Sequence, residues 1–252
     1  MRNAQFVFSP QGRWRQKGNG PSRISGTVVP MPKRLLLTAL SALVLVTSCG
    51  SGTTDVADPA YAAFRAQPTA CNAVQPPAAK EMTFTKPDDL GITDTITAVI
   101  HTSCGDITIS LYPQIAPVTV DSFVFLAEHG YFDGTVSHRI IPGYIAQFGD
   151  PTASGRGNPG YALPDELPPD GFPYSAGVVA MANAGANTGG SQFFIVLGDT
   201  GLPTDYTVFG SVEDGTAALQ AIQSVSLGMQ PTGLEQSKPL ETVYIESIDV
   251  QR

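Results

Sequence analysis

Ser137-His138-Arg139-Ile140-Ile141-Pro142-Gly143-Tyr144-Ile145-Ala146-Gln147-Phe148-Gly149-Asp150 is the stretch on which the reading of the fold turns. Thr135–Ile140 and Tyr144–Phe148 have the apolar, β-branched and aromatic character of strands. Arg139 interrupts that pattern, flanked by Val136, Ile140, Ile141 and Ile145. A guanidinium among such neighbours is costly unless it is paired or faces a groove where it meets a ligand.

Upstream, Ile96–Ile100 and Ile107–Leu111 alternate apolar and polar residues around Ser103-Cys104-Gly105-Asp106, which predicts a hairpin. Pro117 opens a helix with Val120, Phe123, Val124 and Ala127 on one face and Gly130 just past its end. Downstream of the central stretch, Gly149–Ser175 reads as a long loop dense in Gly and Pro. Val178–Met181, Gln192–Leu197 and Thr207–Phe209 read as strands and Thr216–Val225 as a second helix. Val243–Val250 closes the chain as a strand whose apolar phase shifts near Ser247, predicting a bulge. About eight strands, two helices and Gly-rich connections suit a closed antiparallel barrel with helices over its ends, and a sandwich stays open on pattern alone.

Composition bounds the function. The chain has 252 residues, 42% of them apolar, enough for one domain with appendages. Half of its 14 cations lie in the first 48 residues, which hold no acid, so the other half faces all 22 acids. A domain that acidic excludes nucleic-acid binding, which requires a basic face, and electrostatic attraction to an anionic membrane.

Pro30-Met31-Pro32-Lys33-Arg34, the apolar run Leu35–Val46 and the small residues after it make an export signal, too short to span a bilayer. Its end, Val46-Thr47-Ser48-Cys49, resembles a bacterial lipobox, which implies diacylglyceryl attachment at Cys49, cleavage before it, and anchoring on the extracytoplasmic face of the cell membrane. Residues 1–30 fit no signal, and translation is expected to start at Met31. The expected organisation is a leader and signal at 1–48, a lipidated N-terminus and flexible linker at 49–94, and the folded domain at 95–252. Cys71 and Cys104 remain; in an exported protein they suggest a disulfide, the alternative being two buried thiols. No Cys-x-x-Cys occurs and the 3 histidines are scattered, so no zinc or other metal site is expected.

Gly155-Arg156-Gly157-Asn158-Pro159-Gly160 matches a dinucleotide fingerprint in letters only, because no strand feeds it and Pro159-Gly160 blocks the helix it needs. Ser191 is not in a nucleophile elbow. The informative segment is Met181–Ile195, whose small residues and two asparagines, Asn183 and Asn187, leave backbone free to lie close to a ligand.

His138-Arg139-Ile140-Ile141-Pro142-Gly143-Tyr144-Ile145-x-Gln147-x-Gly149-Asp150, then Met181-Ala182-Asn183-Ala184-Gly185-x-Asn187-Thr188-x-Gly190-Ser191-Gln192-Phe193-Phe194-Ile195, then Val208-Phe209-Gly210 strongly resemble the cyclophilin family of peptidyl-prolyl isomerases. The resemblance spans about Ile96–Val250. It implies a mainly β fold, a closed eight-stranded antiparallel barrel capped by two α-helices, with a peptide groove on its outer face. It implies Arg139 as the catalytic arginine, supported by Gln147. Asn183 would hold the peptide through its backbone beside Ala182, Ala184 and Gln192. Tyr144, Ile145, Phe194 and Leu202 would line the proline pocket, with Tyr206 where eukaryotic members often carry histidine. No cofactor is implied. The implied partners are proline-containing segments of exported proteins, met by a monomer; the alternative is a non-catalytic module that binds proline peptides on the same fold. Departures from the family pattern are Ser137 in place of a large apolar residue, Tyr144 in place of phenylalanine, Phe148 in place of glycine, and a Gly198–Thr207 loop without tryptophan. The last of these bears on cyclosporin sensitivity.

Overall fold

The computed structural model describes residues 58–80 and 82–252, and separately a short antiparallel strand pair, Phe6–Phe8 with Trp14–Gln16. The expectations for the export signal at residues 30–48, the start at Met31 and lipidation at Cys49 lie outside the described residues. The main unit runs α1 (Pro59–Arg65), β1 (Ile96–Thr102), β2 (Gly105–Leu111), α2 (Pro117–Glu128), β3 (Arg139–Ile141), β4 (Ile145–Phe148), β5 (Val178–Met181), β6 (Phe193–Val196), β7 (Val208–Asp214), α3 (Thr216–Gln223), β8 (Leu227–Met229), β9 (Gln236–Pro239) and β10 (Ile245–Gln251).

Eight strands form one curled antiparallel sheet in the order β10-β1-β2-β7-β5-β6-β4-β3, and β8 pairs with β9 as a separate hairpin. The bulge expected near Ser247 is present as a register shift between Ile245 and Ser247. The expected closure is not. β10 and β3 remain edges, joined only through the single bridge Val136–Tyr244. The backbone bonds there are Gly134 N to Ile245 O and Ser137 N to Val243 O, both 2.8 Å, and Ile245 N to Thr135 O at 2.9 Å. The reason is local: Thr135 is held in a turn by its N–H and hydroxyl donating to Phe132 O at 3.0 and 2.6 Å, so only a few residues run beside 243–245 before the chain leaves for β3. The result is a half-barrel with three helices rather than a closed barrel with two.

Helix α2 begins at Pro117 as expected, but Ala116 gives it no side-chain cap. The orphan N–H groups of its first turn are met instead by Glu166, which accepts from Val118 N at 3.0 Å, Thr119 N at 2.8 Å and the Thr119 hydroxyl at 2.7 Å. That carboxylate ties the 149–175 loop to the helix. Phe123 on the buried face meets Phe193 of β6 at 5.5 Å and Phe209 of β7 at 5.3 Å, centring the main core. Ser137 and Phe148, the two departures beside Arg139, both point inward. Ser137 is fully buried and donates to Gln147 O at 2.8 Å, while Phe148 stacks on Phe193 at 6.0 Å. Neither side chain enters the outer groove.

The stretch expected to be a flexible linker is packed where it is described. Tyr61 and Phe64 of α1 and Ala70 are buried. The Tyr61 hydroxyl lies 2.7 Å from Gly134 O and 2.8 Å from Pro77 O and accepts from Ala79 N at 2.8 Å. Ala70 N donates to Thr242 O at 3.0 Å and Thr242 N to Pro68 O at 2.7 Å. Cys71 and Cys104 are joined by a disulfide, which pins this segment to the β1–β2 turn. Farther along, Phe84 sits edge-on to Phe125 of α2 at 5.2 Å. Three well-placed aromatics, Tyr61, Phe64 and Phe84, together with a cross-link, outweigh the Ala- and Pro-rich composition that suggested a tether.

Replacing Cys71 and Cys104 together by Ser opens a loop of sequence separation 33 and is expected to lower unfolding free energy by about 3–4 kcal/mol in the chain-entropy treatment. Urea unfolding of the variant beside the oxidised protein measures it. Phe148→Ala is expected to cost about 3–5 kcal/mol, the range for a fully buried aromatic, in the same assay; a loss under 1 kcal/mol would show that Phe148 is not part of the core.

Candidate active site

The site follows from the two-residue period of strands in a region where both sheet faces are apolar. Along β6, Phe193 and Ile195 point into the main core, while Phe194 and Val196 point outward into a second apolar cluster. The same division holds on β4, where Ala146 and Phe148 face in and Ile145 faces out, and on β5, where Val179 and Met181 face in and Ala180 faces out. Tyr144, Ala182, Leu202 and Tyr206 pack on this outer cluster, and Tyr206 meets Phe194 edge-on at 5.3 Å.

Strand register draws several of the expected site side chains into a line. Arg139 pairs with Gln147, Gln147 with Phe194, Phe194 with Ala180 and Ala180 with Val208. One row across β3, β4, β6, β5 and β7 therefore carries the cation, an amide and the apolar floor on the same face. The next row, Ile141, Ile145 and Val196, is wholly aliphatic and extends the apolar floor. Every side chain expected to act on a peptide borders this surface: Arg139, Gln147, Tyr144, Ile145, Ala182, Asn183, Ala184, Gln192, Phe194, Leu202 and Tyr206.

The two motif segments meet at Gly149 and Ser191. The Ser191 hydroxyl donates to Gly149 O at 2.7 Å, and Gly149 sits at φ +83° where a Cβ would lie 2.2 Å from Ser191 O. Only glycine fits there. From this junction Gln147 Nε2 donates to Gln192 Oε1 at 2.9 Å, and Gln192 Nε2 donates to Gly157 O at 3.0 Å. Asp150 folds the intervening loop by accepting from Thr152 N at 2.8 Å and Gly155 N at 2.6 Å. A cavity of about 580 Å³ opens beside the row, bordered by Gln147, Gly157, Asn158, Asn183, Thr188 and Gln192 among others. Asn183 holds its own loop by donating from Nδ2 to Asp205 O at 2.8 Å.

Arg139 resolves the alternatives its sequence position posed by satisfying both: it is paired and it faces the groove. Nε donates to Glu235 Oε1 at 2.8 Å and Nη2 to Glu235 Oε2 at 2.7 Å, a two-pronged ion pair. The pair raises the Arg139 pKa and holds the Glu235 carboxyl below its usual range. With the side chains 32% and 36% exposed, this pair contributes only about 0–1 kcal/mol to stability. The neighbouring His138 is buried, and burial, with Arg139 adding to it and Asp150 opposing, pushes its pKa down and keeps the ring neutral. Burial raises the Tyr206 phenol, which stays a neutral group at the groove edge.

Glu235 is the site residue that sequence reasoning missed. It lies between β8 and β9, in a stretch with no strong periodicity, and is one of 22 acids. The only available signal was the requirement that a cation in an apolar strand find a carboxylate; nothing in the sequence says which.

Known proteins share this sequence pattern and fold. The family model for cyclophilin-type peptidyl-prolyl cis-trans isomerases matches residues 97–250. A Staphylococcus aureus (strain USA300) protein named as a peptidyl-prolyl cis-trans isomerase is 40% identical over 188 residues, covering 62% of this chain and 92% of the relative. A Staphylococcus epidermidis protein of the same name is 39% identical over the same length. Among solved structures, a Cryptosporidium parvum cyclophilin-type isomerase superposes with a TM-score of 0.56 at 30% identity, covering 63% of this chain and 99% of that one. A structure of that protein in the presence of the dipeptide Ala-Pro gives 0.55 at 31% identity, covering 62% and 99%. The chain belongs to the cyclophilin-type peptidyl-prolyl cis-trans isomerase family.

Proposed function

We propose that the protein isomerises X-Pro bonds in exported proteins and thereby assists their folding outside the cytoplasm, as a monomer held to the outer face of the cell membrane through Cys49. The observation that carries the catalytic part is the cross-strand row Arg139–Gln147–Phe194, which sets a cation beside an apolar floor on one face. The Cys71–Cys104 disulfide supports an oxidising, extracytoplasmic setting.

Rotation about a peptide bond is opposed by a barrier of about 18–20 kcal/mol, because the nitrogen donates its lone pair into the carbonyl. A catalyst must favour the twisted state, where that lone pair is localised and accepts a hydrogen bond. Phe194, Ile145, Leu202 and Tyr206 offer a surface that desolvates a proline ring and fixes it. The peptide backbone lies along Ala182–Ala184, and the residues before proline extend over the cavity bordered by Asn183 and Gln192. The two bonds to Glu235 use Nε and Nη2 of Arg139, so the N–H groups of Nη1 remain for the prolyl nitrogen and the adjoining carbonyl. Gln147, tied to Gln192, holds the amide beside the guanidinium in place. No covalent intermediate is needed; the rate comes from donors already positioned where electron density develops.

Arg139→Ala is expected to lower kcat/KM on an X-Pro peptide by roughly 10²- to 10³-fold, the range for losing one preorganised donor. Protease-coupled or NMR exchange kinetics measure it, with far-ultraviolet circular dichroism checking the fold. A rate that survives the substitution refutes the assignment to Arg139. A wild-type protein that shifts the cis/trans ratio without accelerating exchange binds proline peptides without catalysis.

A further inference from the structure

We propose that Glu235 is a positioning residue for catalysis, which orients the Arg139 guanidinium toward the substrate groove from the opposite side. The proposal rests on the assignment of Arg139 as the electrostatic catalyst. An arginine side chain on a three-residue edge strand has many rotamers, and a catalyst that must aim two N–H groups gains from having them removed before substrate arrives. Glu235 does this through both of its oxygens. A bidentate contact fixes the plane of the guanidinium as well as its distance, which a single bond does not.

The carboxylate is itself held. Ser237, fully buried on β9, donates its hydroxyl to Glu235 Oε1. Gln230 Nε2 donates to Ser237 Oγ at 2.9 Å and to His138 O, on the residue before Arg139, at 3.1 Å. The turn between β8 and β9 is closed by Gln230 N to Glu235 O and Gly233 N to Gln230 O, both 2.8 Å. A ring of bonds therefore runs from the His138 carbonyl, just before β3, through Gln230, Ser237 and Glu235 back to the guanidinium. Such a ring exceeds what a partly exposed ion pair needs for stability, and its geometric product is the direction in which Nη1 points. The carboxylate meets three donors, Arg139 Nε, Arg139 Nη2 and the Ser237 hydroxyl, so its charge is spread and the arginine keeps donors for a ligand.

The test compares Glu235→Ala, Glu235→Gln and Glu235→Asp with wild type in isomerisation kinetics on one X-Pro peptide. Glu235→Ala is expected to lower kcat by roughly ten- to a hundredfold, the scale for a catalytic group displaced by about 1 Å, with KM within about twofold. Glu235→Asp is expected to recover part of the loss, since it keeps a carboxylate one methylene shorter, and Glu235→Gln to lie between Asp and Ala. In NMR spectra, Arg139 Nε–H is expected as an ordered signal that Glu235→Ala removes; a merely structural role for the pair would not link that signal to kcat. In an Arg139→Ala background, Glu235→Ala is expected to have no further effect. An unchanged kcat in Glu235→Ala overturns the proposal, and so does an increase, which would make Glu235 a restraint on Arg139. Should Glu235→Ala fail to fold, the Gln and Asp variants and the Nε–H signal decide by the same criteria. If Arg139→Ala itself keeps full activity, the catalytic assignment has failed; if Arg139→Ala is inactive and Glu235→Ala is not, the positioning role alone has failed.

Discussion

Phe193 and Phe194 are adjacent in sequence, and both are almost wholly buried on opposite faces of the sheet. Everything else at the active surface depends on that pair. A strand with one wet face would need a polar residue at one of the two positions. Here the inner ring anchors the core under α2 and the outer ring makes the apolar floor of the outer face. Because the side-chain period is two, the register that buries Phe193 against Phe123 also sets Phe194 beside Gln147 and, one strand further, Arg139. Packing stability and site geometry are thus one constraint, and a slip of one residue would invert both.

On this floor the chain sets one cation against a strongly acidic background. Arg139 keeps its charge in an apolar strand because Glu235 pairs with it and because the groove side is open to water. The cost of placing ionised groups at a sheet edge is contained by leaving both about one third exposed. The same arrangement leaves the neutral His138 as a packed neighbour rather than a base, since burial beside a guanidinium disfavours its second proton.

The N-terminal segment shows how far composition and structure can diverge. Read as letters, Gly50–Lys86 is Ala-, Pro-, Thr- and Gly-rich and carries few aromatics. Yet Tyr61 and Phe64 occupy a pocket formed with Val136, Ala153 and Tyr244, next to the seam where the half-barrel almost closes. The Cys71–Cys104 bond and the Thr242 backbone contacts hold the segment over that seam. It covers edges that a closed barrel would not have.

How much could be read in advance follows the range of the forces involved. The α2 and α3 helices, the Ile96–Leu111 hairpin and the bulge at Ser247 were legible because local propensity and a two- or 3.6-residue period specify them. The groove residues were legible because two long motifs carry the resemblance to the cyclophilin family. Strands β8 and β9 were not, since Leu227–Met229 and Gln236–Pro239 are short and the residues between them have no period. Nor was the seam, where a turn at Phe132–Thr135 ends pairing after a single bridge. The residue types along the groove, and the need of Arg139 for either a partner or a ligand, can be read from the chain's letters alone. That Arg139 has the partner as well, and that the partner is Glu235, follows from the fold in three dimensions. That choice is made by the three-dimensional approach of a hairpin 96 residues away in sequence, and no local rule selects one carboxylate among 22.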